Sequence, residues 1–133
     1  MLLFGNIKYL YSLTSSAVSY NIHNMNTESS QTYWVRIYTA GPLQTIEQIC
    51  REYVTEVGAC VTVTPTKYIY TGGEETGVII ELINYPRFPS KEIDIWVSAE
   101  TLAEKIMLGA CQGSYTLMDP NKSFYVSRRD EFR

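Results

Sequence analysis

Apolar and polar side chains alternate from residue 32 to residue 39, with Tyr33, Val35 and Ile37 on one side and Trp34, Arg36 and Tyr38 on the other. A period of two is that of a β-strand with one face turned inward. The pattern then changes: Ile46, Ile49, Cys50, Tyr53, Val54 and Val57 recur at helical spacing, with Glu47, Gln48, Arg51, Glu52 and Glu56 on the opposite side. Pro42 suits the first helical position, where its missing N–H is no loss, and Gly58 suits a left-handed cap. Residues 60–64 return to β-branched alternation. Pro65 predicts a bend or bulge before the strand resumes at residues 68–70.

Residues 71–77, Thr-Gly-Gly-Glu-Glu-Thr-Gly, read as an acidic glycine turn, and residues 78–83 as an apolar strand. A strand apolar on both faces belongs in the middle of a sheet or against an interface, and Glu81, its one charge, requires a partner or an exit to solvent. Residues 84–89 form a loop held extended by Pro86 and Pro89. Ser90 is a fair N-cap, Glu92 and Asp94 suit a first helical turn, and Ile95, Trp96, Ala99, Leu102, Ala103, Ile106, Met107 and Ala110 trace a second helix. Residues 114–118 and 123–127 flank the turn Asp-Pro-Asn-Lys. The expected fold is α+β, in the order βαββαββ: an antiparallel sheet of about five strands with two helices on one face, ferredoxin-like or related.

A chain of 133 residues suits one domain. Residues 32–133 are expected to form it, with residues 1–31 as an N-terminal extension. That extension opens on Leu2, Leu3 and Phe4 and then turns polar, lacking the charged start and pure apolar run of a signal peptide. No segment has the roughly 18 consecutive apolar residues of a membrane span. The net charge of −3 argues against a partner as long and polyanionic as a nucleic acid, while leaving room for a small anionic ligand held by a few local cations. Cys50, Cys60 and Cys111 lack metal-like spacing. Cys50 and Cys111 fall on helical apolar stripes, as buried thiols in a reducing compartment would.

The candidate chemistry begins with exclusions. His23 is the only histidine and lies in the N-terminal segment, so triads and dyads that use a histidine base have none in the domain. There is no phosphate-cradling glycine motif. Arg87 and Phe88, fixed between two prolines after Asn84, offer a cation and a ring in one frame. Arg128, Arg129 and Arg36 add guanidinium groups suited to phosphate oxygens. Tyr70 adds a ring, one of eleven tyrosines, and Glu74 and Glu75 offer carboxylates for ribose hydroxyls. For the acidic turn, a solvated surface is the plainer reading. These nine residues are the expected ligand site. The residues alone leave open a binding protein, a nucleotide-processing enzyme using carboxylates and a metal, and a small protein-interaction module.

The runs IYTAGPL, TVTPT, YIYTGGEETGV and LINYPRFP, with QGS before the last hairpin and SRRD near the end, resemble the phage Thoeris anti-defence family, type one, over about residues 33–130. The resemblance implies a protein that is not an enzyme, with no catalytic residue, metal or cofactor. It would bind a cyclic ADP-ribose isomer, and also cyclic oligonucleotides, in the host cytoplasm and so blunt a bacterial immune signal. It further implies a homo-oligomer built from dimers up to a hexamer.

Overall fold

In the computed structural model, residues 25–129 are described. Five strands, β1 (Trp34–Ala40), β2 (Thr62–Tyr70), β3 (Gly73–Ile83), β4 (Ser114–Met118) and β5 (Ser123–Ser127), form one sheet in the order β2-β3-β1-β4-β5, antiparallel at every pairing. Helices α1 (Leu43–Val57) and α2 (Glu92–Gly109) lie on one face, so the α+β fold and element order are those expected. Each helix links strands with another strand between them: α1 joins β1 to β2 across β3, and α2 joins β3 to β4 across β1. This is the split βαβ arrangement of ferredoxin-like folds, with β5 added at one edge.

The core follows from the alternation. Val35, Ile37, Val78, Ile80 and Leu117 point from the sheet toward Ile46, Leu102 and Ile106 of the helices, all nearly inaccessible to water. Burying such a side chain stabilises the fold by roughly 1.5–3 kcal/mol relative to leaving it exposed. Tyr33 is also buried and donates its hydroxyl to Asp119 Oδ2 at 2.7 Å, and Asp119 Oδ1 accepts the backbone N–H groups of Asn121 and Lys122 at 2.8 Å each. The β4–β5 turn is thus tied to the first strand by one carboxylate. Burial alone would raise that carboxyl's pKa, but these three bonds outweigh it and hold the pKa below the usual value.

Several local expectations are corrected. Pro65 causes neither bend nor bulge, because β2 is an edge strand and pairs with β3 in unbroken register from Thr62 opposite Glu81 to Tyr70 opposite Gly73. The glycine turn shrinks to Thr71 and Gly72, the latter at φ 92°, so Glu74 and Glu75 sit in β3. Pro42 stands at the N-cap of α1, and Lys91, in place of Ser90, at that of α2. Cys111 lies beyond the end of α2, exposed, at φ 55°. There Gln112 N–H bonds the Met107 carbonyl at 2.8 Å and Cys111 N–H the Leu108 carbonyl at 3.3 Å, a Schellman cap with cysteine where glycine is usual. Residues 1–24 of the expected extension lie outside the described residues. Among the described residues no helix is long and apolar enough to cross a membrane.

Candidate functional site

The face of the sheet without helices is rich in aromatic and charged side chains. By strand alternation it presents Tyr68 and Tyr70 from β2, Glu75, Ile79 and Glu81 from β3, Trp34, Arg36 and Tyr38 from β1, Thr116 and Met118 from β4, and Tyr125 from β5. At the end where β1 runs into α1, these side chains surround a cavity of about 190 Å³. It is lined by Tyr38, Tyr68, Glu75, Thr116, Tyr125 and Arg129, among others.

Close backbone approach shapes this end. Gly77 pairs with Ala40, and a methyl group at Gly77 would run into the Thr39 carbonyl while lying 2.6 Å from the Tyr68 ring and 2.8 Å from Ala40 Cα. The missing side chain therefore lets the Tyr68 ring lie against β3, where its hydroxyl donates to the Val78 carbonyl at 2.6 Å. Burial pushes that phenol up to about 12, against the effect of a backbone bond from Thr39. Gly113 does the same for Arg129: a methyl there would lie 2.7 Å from Arg129 Cζ. The guanidinium is laid across the start of β4, and the Arg128 N–H to Gly113 carbonyl bond at 2.9 Å holds the chain alongside. Tyr70 donates to Glu75 Oε1 at 3.2 Å, and that bond to a carboxylate raises the Tyr70 pKa.

The expected site residues separate into groups. Glu75, Arg129 and Tyr70 gather at or beside this cavity, and Arg128 follows β5 at the same end. Glu74, one residue from Glu75, points to the other side of the sheet and pairs with Lys67 at 3.1 Å. Arg36 lies on the same open face, two residues from Tyr38 along β1, with Nε 2.6 Å from Glu81 Oε2 and its guanidinium 4.0 Å from the centroid of Trp34. Glu81 thereby has its partner. Arg87 and Phe88 stand in the loop after β3. Glu75 and Ile83 are roughly 27 Å apart at about 3.4 Å per residue, so that loop belongs to the opposite end of the sheet. Asn84 accepts the Ser90 N–H at 2.9 Å and donates to the Gln31 carbonyl at 2.8 Å, which makes it a brace for the loop. Tyr38, Tyr68, Thr116 and Tyr125 line the cavity and were not among the nine. Among the described residues no three His, Cys, Asp or Glu side chains are grouped to hold a metal ion.

No protein-family model matches the chain, and no curated protein matches it in sequence. Two solved structures do resemble it in fold. One is of a phage SAM lyase in the apo state, with a TM-score of 0.63 and 13% identity over 82% of this chain and 99% of that one. The other is of a phage SAM lyase in complex with S-methyl-5'-thioadenosine, with a TM-score of 0.55 and 15% identity over 82% of this chain and 98% of that one. At these identities the likeness is one of fold, and it is to a fold found in phage proteins of similar size, one of them holding a small adenosine-derived ligand. The expectation that the chain is not an enzyme is corrected by this comparison, because the proteins sharing its fold are named lyases. The lack of a histidine among the described residues excludes only chemistry that needs such a base.

Proposed function

We propose that the chain binds S-adenosylmethionine at the Glu75–Arg129 end of its open sheet face and cleaves it to S-methyl-5'-thioadenosine. The observation that carries this is the gathering of a carboxylate, a guanidinium and four tyrosines, Tyr38, Tyr68, Tyr115 and Tyr125, around one cavity. These are the groups an adenosyl amino acid requires: rings to stack the adenine, a carboxylate to accept the ribose hydroxyls, and a guanidinium to pair with the amino-acid carboxylate.

The chemistry suits a site with no histidine. When the bond between sulfur and the γ-carbon of the amino-acid chain breaks, the sulfonium leaves with the electron pair as a neutral thioether. The substrate's own carboxylate can close on that carbon, forming a C–O bond as the C–S bond breaks and giving a lactone. No proton moves, and no external base is needed. Folding the substrate so that carboxylate and carbon meet, and keeping water from that carbon, are tasks of positioning, which in favourable cases lower a barrier by about 7–11 kcal/mol. In this reading Arg129 orients the carboxylate and Glu75 anchors the ribose.

A cavity of about 190 Å³ is smaller than the roughly 300–1,000 Å³ of most ligand pockets. A second copy packed on the open face, over Trp34, Ile79 and Met118, would complete it. The Arg128–Arg129 pair supports a second reading, in which the same site takes a cyclic ADP-ribose isomer, with adenine on the tyrosines and the diphosphate on the arginines. Either ligand is met in the cytoplasm of a host cell. Incubation with each compound, followed by mass spectrometry of the products, separates the two. Release of S-methyl-5'-thioadenosine supports the first, and thermal stabilisation by the cyclic nucleotide with no effect of S-adenosylmethionine supports the second.

A further inference from the structure

At the far end of β3 from Glu75, a cavity of about 550 Å³ opens between the C-terminus of α1, the last residues of β3 and the first turn of α2. Its volume falls in the range of roughly 300–1,000 Å³ typical of small-molecule sites. Leu82, Ile83 and Ile95 give it an apolar floor, and Tyr85 and Phe88 supply aromatic walls. Asp94 carries the one formal charge among its lining residues. The end of α1 at Val57 and Gly58 also borders it, with no basic side chain in the last turn to offset the partial negative charge of the helix terminus. The Arg87 guanidinium carbon stands 5.7 Å from the Phe88 ring centroid, and Arg87 itself is outside the lining of the cavity.

We propose that this cavity is a separate binding site for a small organic monocation, an amine carried on a flat apolar body. The body packs on Leu82, Ile83 and Ile95, and the ammonium meets Asp94, the aromatic faces and the negative end of α1. An anion of the same shape meets Asp94 and the negative end of α1, while Glu92 and Asp94 in the first turn of α2 offset the positive end of that helix. The site is independent of the one at Glu75, and neither depends on the other.

Cys60 reports on occupancy, because its sulfur accepts a hydrogen bond from the Tyr85 hydroxyl at 3.3 Å and the residue lines the cavity wall. The probes are tryptamine, its uncharged counterpart tryptophol, and the anion indole-3-acetate. The rate at which N-ethylmaleimide alkylates Cys60 is followed by peptide mass spectrometry, with exposed Cys111 as the internal control. Tryptamine should slow alkylation of Cys60 alone, binding about tenfold more tightly than tryptophol, and indole-3-acetate should give no protection. Asp94→Asn should bring tryptamine down to the level of tryptophol while leaving the thermal melt in place. Titration calorimetry with the same three compounds gives the same ranking should Cys60 react too slowly to follow. Equal binding by all three, or no binding of tryptamine at millimolar concentration, overturns the proposal.

Discussion

Gly77→Ala strikes the place where fold and candidate site share one close contact. The added methyl meets the Thr39 carbonyl and Ala40 Cα, both backbone, so no side-chain rotation can relieve it. The β1–β3 pair must part at Ala40 opposite Gly77, or the Tyr68 ring must leave its place, and with it the bond to the Val78 carbonyl. Overpacking of this kind typically costs about 1–3 kcal/mol, and a rigid obstacle on a central strand puts the expected loss near the top, at about 3 kcal/mol. With roughly 4 °C of melting temperature per kcal/mol for a domain of this size, the midpoint should fall by about 12 °C. Urea unfolding followed by the fluorescence of Trp34 and Trp96 measures the loss directly. Ligand binding at the Glu75 end should weaken as well, because Ala40 and Tyr68 line that cavity. An unfolding midpoint equal to that of the unaltered protein would refute the claim that the two strands touch at Gly77.

Gly113→Ala should behave differently, because the atoms it displaces are the mobile end of Arg129: stability should change by less than about 0.5 kcal/mol, while affinity for S-adenosylmethionine drops in calorimetry. Cys111→Gly should stabilise the fold by about 1 kcal/mol in urea, because it removes the strain of a side chain at φ 55°. Asp119→Ala should cost about 2–4 kcal/mol at neutral pH, since it leaves the buried Tyr33 hydroxyl and two N–H groups without their acceptor. The Asp119 pKa is lowered in the folded state, so the stability it contributes is full above the unfolded value and is lost as the pH falls through the folded one. Unfolding curves of the variant and the unaltered protein should therefore converge toward strongly acid pH.

The fold was legible because its hydrophobic periods are clean: β1 alternates without exception, and α1 stops at the glycine whose left-handed conformation the sequence implied. Glu81, the one charge in an apolar run, needs a partner, and the pairing of β1 with β3 supplies Arg36. The candidate site was harder to read, because it depends on register. Two glycines and two glutamates in a row look like a long solvated turn, yet the reversal takes only Thr71 and Gly72, and the glutamates join a strand that sends them to opposite faces. Arg129 reaches the Glu75 cavity because only β1 and β4 separate β5 from β3 and Gly113 leaves room for it. The Pro-Arg-Phe-Pro loop is locally rigid, but the length of β3 places it at the opposite end of the sheet from those groups. Cys111 looked buried because its position continues the helical stripe past the point where the cap breaks it.

The most direct test of the account is S-adenosylmethionine turnover, read as S-methyl-5'-thioadenosine by mass spectrometry, in the unaltered protein and in the Glu75→Gln, Arg129→Ala and Arg87→Ala variants. The account predicts product from the unaltered protein, a loss of about 100-fold or more on changing Glu75 or Arg129, and near-full activity when Arg87 is removed from the far end of the sheet. No product from the unaltered protein, or a loss confined to Arg87→Ala, would contradict it.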